Sequence, residues 1–269
     1  MLRSQQWVLW LLPSLLICAA PAVADKRETG FLNRTATVGK NTYRYQVYVP
    51  ADWSKKKKWP VILFLHGAGE RGDDGLVQTE VGIGTVIRRH VERFPCIVVL
   101  PQCRKDVWWL GTEMEAQALK ALDQSIKEFN GDPQRLYLTG LSMGGYGTWG
   151  IAAKYPHKFA ALVPVCGGVR PPIGIRNPVN SPGEDSSSDP YAATAQKIGR
   201  TPVWIFHGGS DRVVPVAESR KMAEALKAAG GNVKYNEYEG VGHNSWDKAY
   251  AEADLMPWLL AQRLDQANP

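Results

Sequence analysis

The chain has 269 residues, 44% of them hydrophobic and 22% charged, and a formal net charge of +6 at pH 7. That length and apolar content suit one sizeable globular domain and exclude an intrinsically disordered chain. The charge is spread along the sequence apart from Lys55–Lys58, a run between two apolar segments that reads as a solvated turn, so nucleic-acid binding is excluded too.

The first residues read as a targeting segment. Arg3 precedes the apolar run "WVLWLLPSLLICAA", and "AVA" at 22–24 has the small-x-small pattern of a signal-peptide cleavage site. Residues 1–24 therefore predict a signal peptide cleaved after Ala24 and a secreted or periplasmic product. The run is shorter than the ~20 residues that span a bilayer, so no stable membrane insertion is expected once it is removed. An uncleaved anchor is the weaker alternative, and bulky Ile17 argues against a lipoprotein signal through Cys18. Cys96, Cys103 and Cys166 remain, an odd number that cannot pair completely within one chain. Cys96 and Cys103 flank "IVVL", about 20 Å of extended chain, too far apart to bridge. A Cys103–Cys166 bridge depends on loops bringing the two together; buried, unreactive thiols are the expectation.

"FLNRTATV" and "TYRYQVYVP", separated by "GKN", predict an antiparallel hairpin. The pattern then changes. "VILFLHG", "CIVVLPQ", "RLYLTG", "ALVPVCGG" and "VWIFHGG" are short apolar runs without alternation, as expected of parallel strands buried on both faces. Between them, 113–129 places Met114, Ala118, Leu122, Ile126 and Phe129 on one helical stripe, and 217–231 is a second helix ending in glycine. A last strand, "VKYNEYE", precedes a C-terminal helix expected to break or kink at Pro257. The alternation predicts a single doubly wound α/β domain over 25–269. Only 167–200 interrupts it, with five prolines, five glycines and four serines around a helical "PYAATAQKI". A connection this irregular predicts either a flap beside the site or a floppy excursion.

"LTGLSMGGYG" at 138–147 crowds glycines around Ser142, directly after a strand. Gly140-Leu-Ser142-Met-Gly144 matches G-x-S-x-G, in which the chain turns sharply from strand to helix and lifts the serine above the sheet. Side chains two residues either side would collide in so tight a turn. A serine hydroxyl needs a base, and the base an orienting group. In chain order these follow as Asp211, past the strand "VWIFHG", and His243, past the last strand. All three then lie at the carboxyl end of the sheet. Asp185 and Asp189 lie in the irregular segment, Asp247 and Asp254 on a helix, and His90 and His157 at the surface. His66 and His207 each end a strand inside a His–Gly pair and read as loop-shaping groups rather than the base. The negative charge that grows on a carbonyl oxygen under attack needs two preorganised N–H donors. Position assigns these to Met143 and to Ala68 in "HGAG".

"LFLHGAGERGDD", "VVLPQ", "GLSMGGYGTWGIAAKYPHKFAALVPVCGG", "WIFHGGSDRVVP" and "GVGHNSWDKAY" together resemble the α/β-hydrolase superfamily. More narrowly they resemble secreted bacterial esterases of the "predicted peptidase" group, relatives of phospholipase/carboxylesterase, polyhydroxybutyrate-depolymerase-like and feruloyl-esterase-like enzymes. The resemblance covers about residues 31–260. It implies an α/β-hydrolase fold with a mostly parallel sheet of about eight strands and the triad Ser142, Asp211 and His243. The stretch 170–190 looks longer and richer in proline than in simple members, and the β-propeller of prolyl oligopeptidases is missing from the sequence.

Glu70, Arg71, Asp73 and Asp74 follow the oxyanion segment as substrate contacts or, more simply, as an ion-paired loop holding it. Trp108 and Trp109 sit past a strand end as pocket wall or as core, and Arg170 and Arg176 as a remote possibility for acidic substrates. The reading is a serine carboxylesterase that needs no cofactor or metal and takes a small-molecule or polymer-linked ester. A peptidase, an acyltransferase and, remotely, a non-catalytic binding protein are the alternatives. Acyl and alcohol preference and oligomeric state are not legible.

Overall fold

The computed structural model describes residues 28–170 and 189–264. The expected signal peptide and its cleavage site lie outside the described residues, as do 171–188 of the irregular stretch, with Arg176 and Asp185.

Strands β1 (Gly30–Val38) and β2 (Asn41–Val49) form the hairpin, in register from Gly30↔Val49 to Val38↔Asn41. Gly39, at φ +58°, supplies the left-handed conformation of the tight turn. Then follow β3 (Trp59–Leu65), α1 (Ile83–Arg89), β4 (Ile97–Pro101), α2 (Thr112–Glu128), β5 (Gly131–Leu141) and α3 (Met143–Lys154). The chain continues through β6 (Ala161–Val165), α4 (Pro190–Ile198), β7 (Val203–Gly208), α5 (Ala217–Ala228), β8 (Val233–Tyr238), α6 (Trp246–Ala251) and α7 (Leu255–Leu260). All eight strands join one sheet in the order β1-β2-β4-β3-β5-β6-β7-β8. The hairpin adds to β4 antiparallel, and the other six strands run parallel. This is the α/β-hydrolase architecture.

The apolar runs without alternation have a direct cause. In β3, Val61, Leu63 and Leu65 face one core, shared with Leu122 of α2, Trp149 of α3, Ala195 of α4 and Met222 of α5. Ile62 and Phe64 face a second core with Ile83 and Ile87 of α1, Tyr250 of α6 and Leu259 of α7. Strands β3, β4, β6 and β7 are buried along their whole length and fill two layers, so their residues are mostly apolar on both faces, whereas β1 and β8 keep exposed positions.

Three elements differ from expectation. Helix α1, with three 3-10 turns around it, occupies a stretch where the sequence shows no clear periodicity. Strand β5 starts at Gly131, ahead of the expected "RLYLTG", with a register shift against β3 between Trp59 and Val61. The C-terminal helix breaks at 252–254 rather than at Pro257. Pro257 is the third residue of α7, where the proline's missing N–H has no intrahelical partner to lose. Cys96, Cys103 and Cys166 are free and buried. Burial pushes the Cys103 and Cys166 thiols up to about 12.

Candidate active site

The turn from β5 into α3 puts Ser142 at φ +51°, a left-handed conformation strained for a residue with a side chain. Close packing holds it there. The Ser142 N–H donates to Val165 O at 2.9 Å, and Ser142 O accepts from Gly145 N at 2.8 Å and Tyr146 N at 3.1 Å. A Cβ on Gly140 would strike Gly144 O, and one on Gly144 would strike Leu65 O. The collisions expected two residues either side are therefore physical, and they come from backbone that has no room to move.

Ser142, Asp211 and His243 come together. His243 Nε2 lies 2.9 Å from Ser142 Oγ, and His243 Nδ1 lies 2.7 Å from Asp211 Oδ2. The intervening separations of 101 and 32 residues are closed by the parallel strands, which end side by side. Asp211 Oδ1 accepts from Val213 N at 2.8 Å and Val214 N at 3.0 Å. Burial alone would push this carboxyl up; the hydrogen bonds from His207, His243 and the two N–H groups outweigh it and hold it well below the usual carboxylate range. The Cys166 sulfur lies within 4.8 Å of a carboxylate oxygen of Asp211 and a ring nitrogen of His243. Its burial keeps the thiol protonated, and the histidine and aspartate already bond each other.

Met143 is the first residue of α3, where backbone N–H groups have no partner within the helix. Ala68 opens a 3-10 turn, Ala68–Glu70, directly after Gly67. The Gly67 backbone passes so close that a Cβ there would lie 3.8 Å from the Ser142 Cβ. His66 anchors this segment: Nδ1–H donates to Gly67 O at 2.6 Å, and Nε2 accepts from Cys103 N at 2.9 Å. Full burial lowers its pKa to about 4, so the ring is neutral.

Trp109, placed by sequence beside a possible pocket, has no exposed surface and belongs to the core. Its Nε1–H donates to His66 O at 2.9 Å and its ring meets the His66 ring edge-on. It packs against the segment that carries Ala68 and has no surface to offer a pocket wall. Trp108 remains half-buried, edge-on to Tyr146 at 5.7 Å. Glu70 is also half-buried, its Oε2 unpartnered and 3.9 Å from His66 Nδ1. Burial pushes its carboxyl up.

The ion-paired loop expected after Glu70 is held mainly by other means. Arg104 pairs with Asp73 at 3.4 Å, but Gln102 does more. Its Nε2–H groups donate to Glu70 O and Asp74 Oδ2, both at 3.1 Å, and its Oε1 accepts from Gly75 N at 2.7 Å. Sequence reasoning missed Gln102, although the signal was available: a polar residue closing the apolar run "CIVVLPQ" at the same sheet edge as the other site residues.

Residues 99–254 match the model of the Dienelactone hydrolase family. Among curated relatives, Poly(3-hydroxyalkanoate) depolymerase C of Paucimonas lemoignei is 32% identical, over 80% of this chain and 56% of its own length. An "Uncharacterized secreted protein" of Arthroderma benhamiae is 28% identical over 86% of this chain and 26% of its own. A solved structure described as a thermostable esterase superposes with a TM-score of 0.72 at 32% identity, covering 87% of this chain and 63% of that one. The chain thus spans about half the length of the depolymerase and about a quarter of that of the Arthroderma protein.

Proposed function

The chain belongs to the Dienelactone hydrolase family, within the α/β hydrolases, and from that premise we propose that it is a serine carboxylesterase working through Ser142, His243 and Asp211. The observation that carries this reading is the unbroken run of hydrogen bonds from Ser142 Oγ through the imidazole to the Asp211 carboxylate. His243 Nε2 takes the serine proton as Oγ attacks the ester carbonyl carbon. Asp211 holds the Nδ1–H tautomer and stabilises the imidazolium that forms. The N–H groups of Met143 and Ala68 receive the negative charge on the carbonyl oxygen. His243 then returns its proton to the departing alcohol. Water attacks the acyl-enzyme with the same base, releasing the acid and restoring the serine.

The substrate is an ester of a small molecule or of a polymer, the second supported by the depolymerase relative. Residues 1–24 act as a signal peptide and 25–269 as one catalytic domain; the charge pattern of the first residues and the relative called secreted support export. Among the described residues no helix is long and apolar enough to cross a membrane.

Ser142→Ala tests the assignment. The purified, folded variant loses p-nitrophenyl acetate hydrolysis by at least about a thousandfold. Wild-type turnover in that variant removes Ser142 from the reaction.

A further inference from the structure

His207 is the penultimate residue of β7, four residues before Asp211, and neither side chain has exposed surface. Its Nε2 stands 3.0 Å from Val214 O and 3.2 Å from Asp211 Oδ2, while Nδ1 stands 2.7 Å from Ser219 Oγ. A carbonyl oxygen only accepts, so Nε2 carries a hydrogen and directs it between Val214 O and the carboxylate. Nδ1 then accepts the Ser219 hydroxyl proton. One neutral tautomer satisfies every partner of the ring.

The consequence falls on Asp211. Its Oδ1 is taken by the Val213 and Val214 N–H groups, and its Oδ2 is shared by two histidines, His243 at 2.7 Å and His207 at 3.2 Å. Without His207, the oxygen that orients His243 has no second donor fixing its place.

We propose that His207 is a positioning residue for the hydrolysis, pinning Oδ2 of Asp211 and tuning how strongly that oxygen holds the His243 imidazolium. This rests on the reading of Ser142, His243 and Asp211 as the reacting set. The donor on Oδ2 draws off negative charge that would otherwise stabilise protonated His243. Removing it strengthens the imidazolium, and the acid limb of kcat/KM moves to higher pH. The other groups around the ring are accounted for. From α5, Ser219 faces Nδ1; from the loop, Asp211 and Val214 O face Nε2. From β8, Glu237 pairs with His207 in register and is held by Arg220 and Tyr235. Directly after β6, Cys166 donates its N–H to Phe206 O, and its thiol stays protonated.

The test compares kcat, KM and the acid limb in His207→Phe, His207→Gln and Ser219→Ala. Phenylalanine keeps a ring and removes both nitrogens; glutamine retains an amide donor near the place of Nε2. His207→Phe lowers kcat roughly 10- to 100-fold with KM within about twofold, and raises the acid limb by about half a pH unit. His207→Gln recovers most of the rate and the original limb. Ser219→Ala releases Nδ1, which weakens the Nε2–H donor, and moves rate and limb the same way by about threefold and a few tenths of a unit. If His207→Phe does not fold, the other two variants decide. An unmoved acid limb in the folded variants overturns the proposal, whether kcat is unchanged or falls equally in all, because packing alone would produce the latter. Loss of the Ser142 assignment would show separately, as full activity in Ser142→Ala.

Discussion

His66 directly follows β3 and His207 is the penultimate residue of β7, each precedes a glycine, and neither ring has exposed surface. Their bonding differs. Both nitrogens of His66 serve backbone, joining Gly67 O to Cys103 N and so holding the segment that carries Ala68. Both nitrogens of His207 reach side chains, Ser219 and Asp211, as well as Val214 O. One histidine shapes a backbone path; the other fixes a carboxylate. The two strands lie on opposite sides of β5, so Ser142 stands between the segment that His66 holds and the carboxylate that His207 contacts.

Substitutions separate these regions by the kind of damage they do. The largest effect on rate is expected on the β7 side. Asp211→Asn presents a neutral amide to His243 and lowers kcat by about four orders of magnitude. Steady-state kinetics check this, and a loss under tenfold would mean that the carboxylate is not the orienting group.

On the β3 side the larger effect is on stability. His66→Gln breaks part of a buried backbone bridge and destabilises by roughly 1–3 kcal/mol at pH 7. The pH dependence has a definite sign. His66 has a folded pKa of about 4, below its unfolded value, so the fold binds fewer protons there than the unfolded chain. The contribution is complete above the unfolded pKa, about 6.5, and is lost as pH falls toward the folded one. Between pH 7 and 4.5 the wild type therefore loses about 2 kcal/mol more than His66→Gln, as urea unfolding at the two pH values would show. Parallel losses would assign the acid sensitivity to other groups.

The smallest effect comes from the outer support of the same segment. The Arg71 guanidinium donates to Ala68 O at 3.0 Å and Val107 O at 3.4 Å from an exposed position. Arg71→Ala costs less than about 1 kcal/mol and slows turnover only a few-fold. A hundredfold loss in kcat would show that the segment is held from outside rather than by His66.

The two histidines also show what was legible in the sequence. Both announce themselves as strand-ending His–Gly pairs, and that much separates them from His243. Which partner each ring takes depends on Cys103 and Ser219, 37 and 12 residues away, and nothing local in the sequence encodes those meetings. The central strands were readable because two packed faces leave a continuous apolar record, and α2 because one packed face leaves an apolar stripe. Ser142 was readable because the turn excludes side chains at Gly140 and Gly144. Trp109 was not, since a tryptophan at a strand end looks alike whether it lines a cleft or supports a histidine from below. Pro257 misled for a related reason: proline is disruptive only where an N–H is needed, and the start of α7 needs none at that position.

The three buried thiols, Cys96, Cys103 and Cys166, allow the native chain to time its own opening. Cys103 packs in the layer covered by α2–α5, whereas Cys96 and Cys166 pack in the layer covered by α1, α6 and α7. An alkylating reagent reaches each only when its layer parts, because a shielded, protonated thiol does not react. Mass added per site thus becomes a two-channel clock, reading separately how often each half of the sandwich around the sheet comes apart.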